Sequence, residues 1–208
     1  MLQFVDLLRG AVRKLMARLA RELNRLTRGA LHPDWITIAG LVMHVPIAVL
    51  IALGGYTIVA AVMLVIFGLF DTIDGELARL QGRASVKGML LDASTDRMKE
   101  TLLYVGAAYA LAVGSHPTAA AWAVAACGAS LCVSYVKAKG EAAVAAVGTI
   151  DHAKLNRLFK DGLLTFELRM VVLLVGLLFN QLMIAVAVIA VLAAFTAFQR
   201  LIRISKAL

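Results

Sequence analysis

Charge is scarce in this chain: Asp, Glu, Lys and Arg make up 16% of its 208 residues, against 62% for the hydrophobic types. With a mean hydropathy of +0.87, that shortage excludes an ordinary soluble domain and points to an integral membrane protein. Cysteine is nearly missing. Cys127 and Cys132 lie five residues apart in an apolar run, which makes neither a disulfide framework nor a thiolate metal site, so both are expected to pack. The start of the chain lacks a short apolar core followed by a small-residue cleavage site, so no cleavable signal is expected. Neither a repeat nor a low-complexity tract is found. The net charge of +8 does not argue for nucleic acid, because the cations fall where anionic lipid would meet them.

What the chain does have is helical periodicity. Over residues 3–28, Val5, Leu8, Val12, Leu15, Leu19, Leu23 and Leu26 recur at three- and four-residue steps. Between them stand Arg9, Arg13, Lys14, Arg18, Arg21, Arg25 and Arg28. This predicts a basic amphipathic helix in the membrane interface, with a soluble or coiled-coil helix as the alternative. Pro33 then forces His32 out of helical geometry, and Asp34 is a candidate helix cap. Six apolar segments follow, at about 35–54, 57–80, 88–114, 118–137, 162–180 and 182–202, each near the roughly 20 residues that a spanning helix needs. Trp35 reads as an interface anchor.

The links Gly54-Gly55-Tyr56, Ser115-His116-Pro117 and Phe179-Asn180-Gln181 carry no charge, while the opposite helix ends carry all of it. The basic excess marks that charged side as cytoplasmic and puts both termini inside. The expected fold is therefore all-α and integral to the membrane: six transmembrane helices behind an N-terminal amphipathic interfacial helix. Residues 1–30 would form the amphipathic juxtamembrane helix and 31–208 the six-helix transmembrane domain. The longest cytoplasmic link, 140–160, has room for a short helix after Asp151.

Four carboxylates stand out against this background. Asp71 and Asp74 are three residues apart, Asp92 and Asp96 four, so on helices each pair shares a face. Converging near a bilayer, the four would repel one another and lose hydration. They call for positive charge, and hard carboxylate oxygens suit magnesium, manganese or calcium. A two-metal site of this kind handles phosphoryl oxygens, stabilising attacking and leaving groups together. Gly75 leaves room for a large ligand beside the helix backbone, and Arg79, one turn on, can face a diphosphate through its planar fork. The alternative is a set of salt bridges with Arg79, Arg83, Lys87 and Arg97, which leaves the regular spacing unexplained.

The string Asp71-x2-Asp74-Gly75-x2-Ala78-Arg79-x8-Gly88-x3-Asp92-x3-Asp96 resembles, at every fixed position, the signature of the CDP-alcohol phosphotransferases. The six-helix layout, the amphipathic N-terminal helix and the Pro-Asp-x-x-Thr turn extend the resemblance over nearly the whole chain. It implies transfer of a phosphoalcohol from a CDP-linked donor to a hydroxyl, with release of CMP. It also implies two divalent cations, magnesium or manganese, on Asp71, Asp74, Asp92 and Asp96, with Asp96 as general base. Gly75, Ala78, Arg79 and Ser85, together with Asp74, would bind the CDP portion, and Asp34 and Thr37 would close its pocket. A homodimer is a further implication.

The acceptor is read from elsewhere. Lys137 and Lys139 end the fourth segment, Arg169 lies within the fifth and Arg200 near the end of the sixth. An arginine among Leu, Met and Val is costly unless it faces a polar cavity or partner. The four cations would suit the phosphate of a phosphorylated polyol. This part is similar to phosphatidylinositol-phosphate synthases, although Lys139 stands where an arginine is expected and the approach to the fifth segment differs. Positive-inside anchoring is the other account of the two lysines.

The resulting expectation is a multi-pass enzyme of the cytoplasmic membrane. It would pass a phosphatidyl group from CDP-diacylglycerol, or a similar CDP-lipid, to inositol phosphate on the cytoplasmic side. Glycerol phosphate is the alternative acceptor. A divalent-cation transporter is the alternative from another class, disfavoured because the outer helix halves lack charge. His44 and His116 have no partner at ligand spacing, and each is expected to be a packed or solvated histidine.

Overall fold

A computed structural model describes residues 2–114, 117–147 and 163–206. His116, and the part of the expected link from 148 to 160 with its candidate helix after Asp151, lie outside them. The described residues are helical apart from their turns: α1 (Leu2–Leu26), α2 (Pro33–Ala52), α3 (Thr57–Gly68), α4 (Phe70–Leu80), α5 (Val86–Val113), α6 (Ala120–Val147, behind a 3-10 turn at Pro117–Ala119), α7 (Phe166–Leu178) and α8 (Leu182–Ser205).

Two compact units are distinguished, residues 1–47 with 62–102, and residues 48–61 with 103–208. In the first, α1 packs on α4. Ala20, Ile36 and Leu77 form a buried cluster flanked by Leu23, Leu31, Phe70 and Ile73. Polar clamps reinforce the contact: Arg13 Nε donates to Glu76 Oε1 at 3.0 Å, and Gln81 Nε2 donates to Asn24 Oδ1 at 2.8 Å and to the Leu31 carbonyl at 3.0 Å. Part of the apolar stripe of α1 is thus spent on protein, while Leu15, Leu19 and Leu26 stay exposed.

In the second unit α8 packs on both α6 and α7, and the buried positions are dominated by small residues, among them Ala123, Ala126, Ala185, Ala190, Ala193 and Ala197. Between helices that gain little from apolar burial in lipid, small residues permit the close approach that dispersion requires. Two glycines carry this to its limit. A Cβ on Gly106 would collide with the Ala48 carbonyl of α2, and one on Gly176 with the Ala185 Cβ of α8.

Several boundaries differ from those read in the sequence. The segment 57–80 is one apolar stretch, divided into α3 and α4 by the single turn residue Leu69, whose backbone (φ −77°, ψ −15°) stays right-handed helical. Helix α6 continues through Gly140 to Val147, because the Ala- and Val-rich stretch after Lys139 propagates the helix and nothing in it stops it. Lys137 and Lys139 therefore lie inside a helix, not at its end. Asp34 is within the first turn of α2, behind Pro33 in the favoured first position. His32 supplies the cap, its Nδ1 accepting the Asp34 N–H at 3.3 Å.

Four stretches are long and apolar enough to cross a membrane: Pro33–Ala52, Thr57–Leu80, Pro117–Ala146 and Leu182–Ser205. Lys87, Asp92, Asp96, Arg97, Lys99 and Glu100 interrupt the apolar run of α5, and the 13 residues of α7 extend only about 20 Å at 1.5 Å each. No disulfide joins the cysteines, and Cys132 is exposed on α6 instead of packed. Trp35 is 64% exposed at the start of α2.

Candidate active site

The turn residue Leu69 and the turn after α4 bracket the aspartate motif. Thr72 and Ile73 both donate backbone N–H to the Leu69 carbonyl, so the helical path carries on from α3 into α4 and sets Asp71 and Asp74 three residues apart on one face. At the other end Gly82 takes φ +64°. Gly82 N–H donates to the Arg79 carbonyl at 3.2 Å, and Arg83 N–H to the Ala78 carbonyl at 2.9 Å, the paired bonds of a glycine-terminated helix. The turn leads directly to Ser85, whose Oγ accepts the Gly88 N–H at 3.0 Å and so caps α5. Ser85 and Asp34 meet at Gly88, where an added Cβ would lie 3.4 Å from Ser85 Oγ and 3.9 Å from Asp34 Oδ1.

Asp71 and Asp74 from α4 and Asp92 from α5 each offer an oxygen within 4.8 Å of the others. Three carboxylate oxygens at that separation can share one hard cation, which takes oxygen ligands at about 2.0–2.6 Å. Asp92 Oδ1 and Asp96 Oδ1 are buried without a hydrogen-bond partner among the described residues. Buried carboxylate oxygens without donors are costly in a protein interior, and a cation answers that cost. The donor set and its unsatisfied oxygens therefore fit a divalent metal.

Asp74 is buried and held by Thr37, whose Oγ1 donates to Asp74 Oδ2 at 2.5 Å. The structure thus gives Thr37 a direct partner in the acidic cluster. Asp96 faces cations of its own helix, with Arg97 Nη2 3.8 Å from Oδ2 and Lys99 Nζ 3.6 Å from Oδ1. Arg79 folds back over Gly75, its guanidinium nitrogens 3.6 Å from where a Cβ would stand, and donates to Glu76 Oε1 at 2.8 Å. Ala78 lies one turn beyond Asp74 and contributes its carbonyl to the helix-ending turn.

Two residues of this site escaped the sequence reading. Glu76 joins Arg79 to Arg13 of α1. Lys99, fully buried, pairs its ammonium with Asp71 Oδ1. Its spacing of three from Asp96 and seven from Asp92 put it on the aspartate face and was the available signal. Of the cations considered as salt-bridge partners, Arg79 binds Glu76, Arg83 donates to Gln81 Oε1, and Arg97 binds Glu100 at 2.6 Å.

In the second unit the four residues assigned to the acceptor occupy two environments. Arg169 and Arg200 are buried. Arg169 Nη1 donates to the Leu164 carbonyl at 3.2 Å and its guanidinium lies 5.9 Å from the Phe166 ring. Arg200 Nη1 reaches from α8 to the Val133 carbonyl of α6 at 3.4 Å. Lys137 and Lys139 are exposed, the first 3.8 Å from Glu141 and the second over the Tyr135 ring at 5.8 Å. His44 is packed, its Nδ1 2.7 Å from the Gly40 carbonyl.

An all-helical, membrane-embedded chain with an acidic cluster across two helices belongs to a narrow class. Residues 30–198 match the family model described as CDP-alcohol phosphatidyltransferase, and the chain belongs to that family. A phosphatidylinositol phosphate synthase from Corynebacterium glutamicum is 38% identical over 112 residues, which is 53% of this chain and 51% of the relative. An archaetidylinositol phosphate synthase from Methanothermobacter thermautotrophicus is 29% identical over 183 residues, 84% of each chain. The chain spans about half the length of the Corynebacterium relative, and 60% of a phosphatidylinositol phosphate synthase from Mycobacteroides abscessus that it also matches. Among solved structures, the Mycobacterium tuberculosis phosphatidylinositol phosphate synthase with CDP-DAG bound superimposes with a TM-score of 0.77 at 25% identity. That match covers 92% of this chain and 94% of the other. The same enzyme in complex with manganese and citrate also gives 0.77, covering 91% and 88%.

Proposed function

We propose that this protein transfers a phosphatidyl group from CDP-diacylglycerol, or a similar CDP-lipid, to a hydroxyl of inositol phosphate. The observation that carries the reading is the convergence of Asp71, Asp74 and Asp92, with a buried Asp92 oxygen that no hydrogen bond satisfies among the described residues. The solved relatives with CDP-DAG and with manganese, and the inositol phosphate specificity named for several relatives, support the substrates and the metal.

In this reading Asp71, Asp74, Asp92 and Asp96 hold two divalent cations, magnesium or manganese. These would supply charge stabilisation for the diphosphate and lower the pKa of the acceptor hydroxyl. Thr37 fixes the rotamer of Asp74. Asp96 takes the proton as the acceptor oxygen bonds to the lipid-side phosphorus and the bond to CMP breaks. Arg79 binds the diphosphate through its fork across the bare backbone of Gly75, with Ala78 keeping that face low. Ser85 and Asp34, adjacent at Gly88, contact the nucleotide. Arg169 and Arg200 bind the acceptor's phosphate, and Lys137 and Lys139 attract it from the aqueous side.

The chain crosses the cytoplasmic membrane six times in this reading, α5 and α7 completing the four apolar stretches, with both termini and the site on the cytoplasmic side. Residues 1–30 lie in the interface, where Leu15, Leu19 and Leu26 reach the acyl region between basic residues; residues 31–208 form the catalytic domain. Two copies associate as a homodimer.

The direct test is release of CMP by the purified protein with magnesium and CDP-diacylglycerol, across inositol phosphate, glycerol phosphate, serine and free inositol. Inositol phosphate is the expected substrate, and Asp96→Asn should lower its turnover by about 10²-fold or more. Preference for glycerol phosphate would move the acceptor assignment, and an active Asp96→Asn would remove the base.

A further inference from the structure

Lys99 is a buried charge in the site for which the proposed reaction has no use. Its side chain is 2% exposed, in the same helix as Asp92 and Asp96, and its ammonium is ion-paired with Asp71 across to α4. The same nitrogen is 3.6 Å from Asp96 Oδ1. A lysine tip is rarely taken out of water this completely unless it is paired. The lysine tip packs against α2 at Gly40, where a Cβ would stand in ordinary contact, 3.6 Å from Lys99 Cε and Nζ. Gly40 is one turn from Thr37, so a single face of α2 braces both Asp74 and the lysine.

From this geometry we infer that Lys99 is a tethered cation that competes with the divalent metal for Asp71 and so sets the metal affinity of the site. The inference rests on reading Asp71, Asp74 and Asp92 as metal ligands. An ammonium bonded to Asp71 claims an oxygen the metal would use, and its charge repels any second cation a few ångströms away in a medium of low dielectric. Lys99 is a positioning residue in this scheme: it acts through Asp71 and touches neither substrate. Its effect is opposite to that of an ordinary structural ion pair, whose loss would disorder the ligands and weaken binding.

The test is titration of Mn²⁺ into chelator-stripped protein in detergent, following free Mn²⁺ by electron paramagnetic resonance. Lys99→Met should bind Mn²⁺ about tenfold more tightly than the parent chain, the factor that corresponds to about 1.4 kcal/mol. Lys99→Arg, which keeps the charge, should stay near the parent value. Lys99→Gln, neutral but able to donate to Asp71, gives the same reading if Lys99→Met does not fold. Equal or weaker binding by the neutral variants overturns the role of Lys99 and leaves the metal site standing. If Asp92→Asn leaves the Mn²⁺ binding of the parent chain unaltered, the metal reading fails, and the role of Lys99 with it.

Discussion

At the scale of single residues, the site is governed by who holds each carboxylate. Thr37 and Lys99 approach Asp74 and Asp71 from different helices. The resemblance points to Thr37 as part of a nucleotide pocket; its hydroxyl donates to Asp74, and on the metal reading proposed above that contact also positions a ligand. Thr37→Val keeps the shape but removes that donor. It should raise the magnesium concentration for half-maximal CMP release several-fold, whereas Thr37→Ser should stay close to the parent chain. Equal metal dependence of both variants would return Thr37 to a purely nucleotide-facing role. Lys99 is hard to distinguish by charge alone from the basic residues of the exposed link around Arg83 and Lys87. Periodicity from Asp92 and Asp96 would have found it.

Among the elements, the aspartate spacings were legible because a helix allows only i+3 and i+4 neighbours on one face. The single turn residue at Leu69 was not legible, and it leaves 57–80 the one apolar stretch that hydropathy marks. The extension of α6 to Val147 was hidden too: Glu141 resembles the start of a polar link, yet one charge does not end a helix of alanines. Close packing was equally invisible, since contact between Gly106 and the α2 backbone depends on tertiary structure. Gly106→Ala should destabilise the fold by about 1–3 kcal/mol, the usual cost of overpacking. A lowered midpoint of thermal unfolding in detergent would show it, and an unchanged midpoint would mean that α2 and α5 can separate at no cost.

For the whole molecule, hydropathy and the one-sided distribution of charge gave the membrane character early, and the four apolar stretches bear it out. The sidedness can be examined by labelling. With Cys127 and Cys132 replaced by alanine, Gly55→Cys should react with a membrane-impermeant maleimide in intact cells, and Arg83→Cys only after permeabilisation. Reaction of both before permeabilisation would contradict six crossings with the site inside. The acceptor remains the part least written in the pattern of residues. Arg169 and Arg200 are conspicuous among apolar neighbours, whereas Lys137 and Lys139 are exposed and carry little signal beyond their sign.

The Lys99–Asp71 pair also bears on how such a chain comes to be made. A nascent helix leaving the ribosome must enter the bilayer before any pocket exists to concentrate metal, and each lone carboxylate resists that step by a few kcal/mol. Helix α5 brings an ammonium in the same segment as Asp92 and Asp96, and α4 brings the aspartate that meets it. With its own counter-charge aboard, the pair of helices holds one of its carboxylates in an ion pair before any ion is bound.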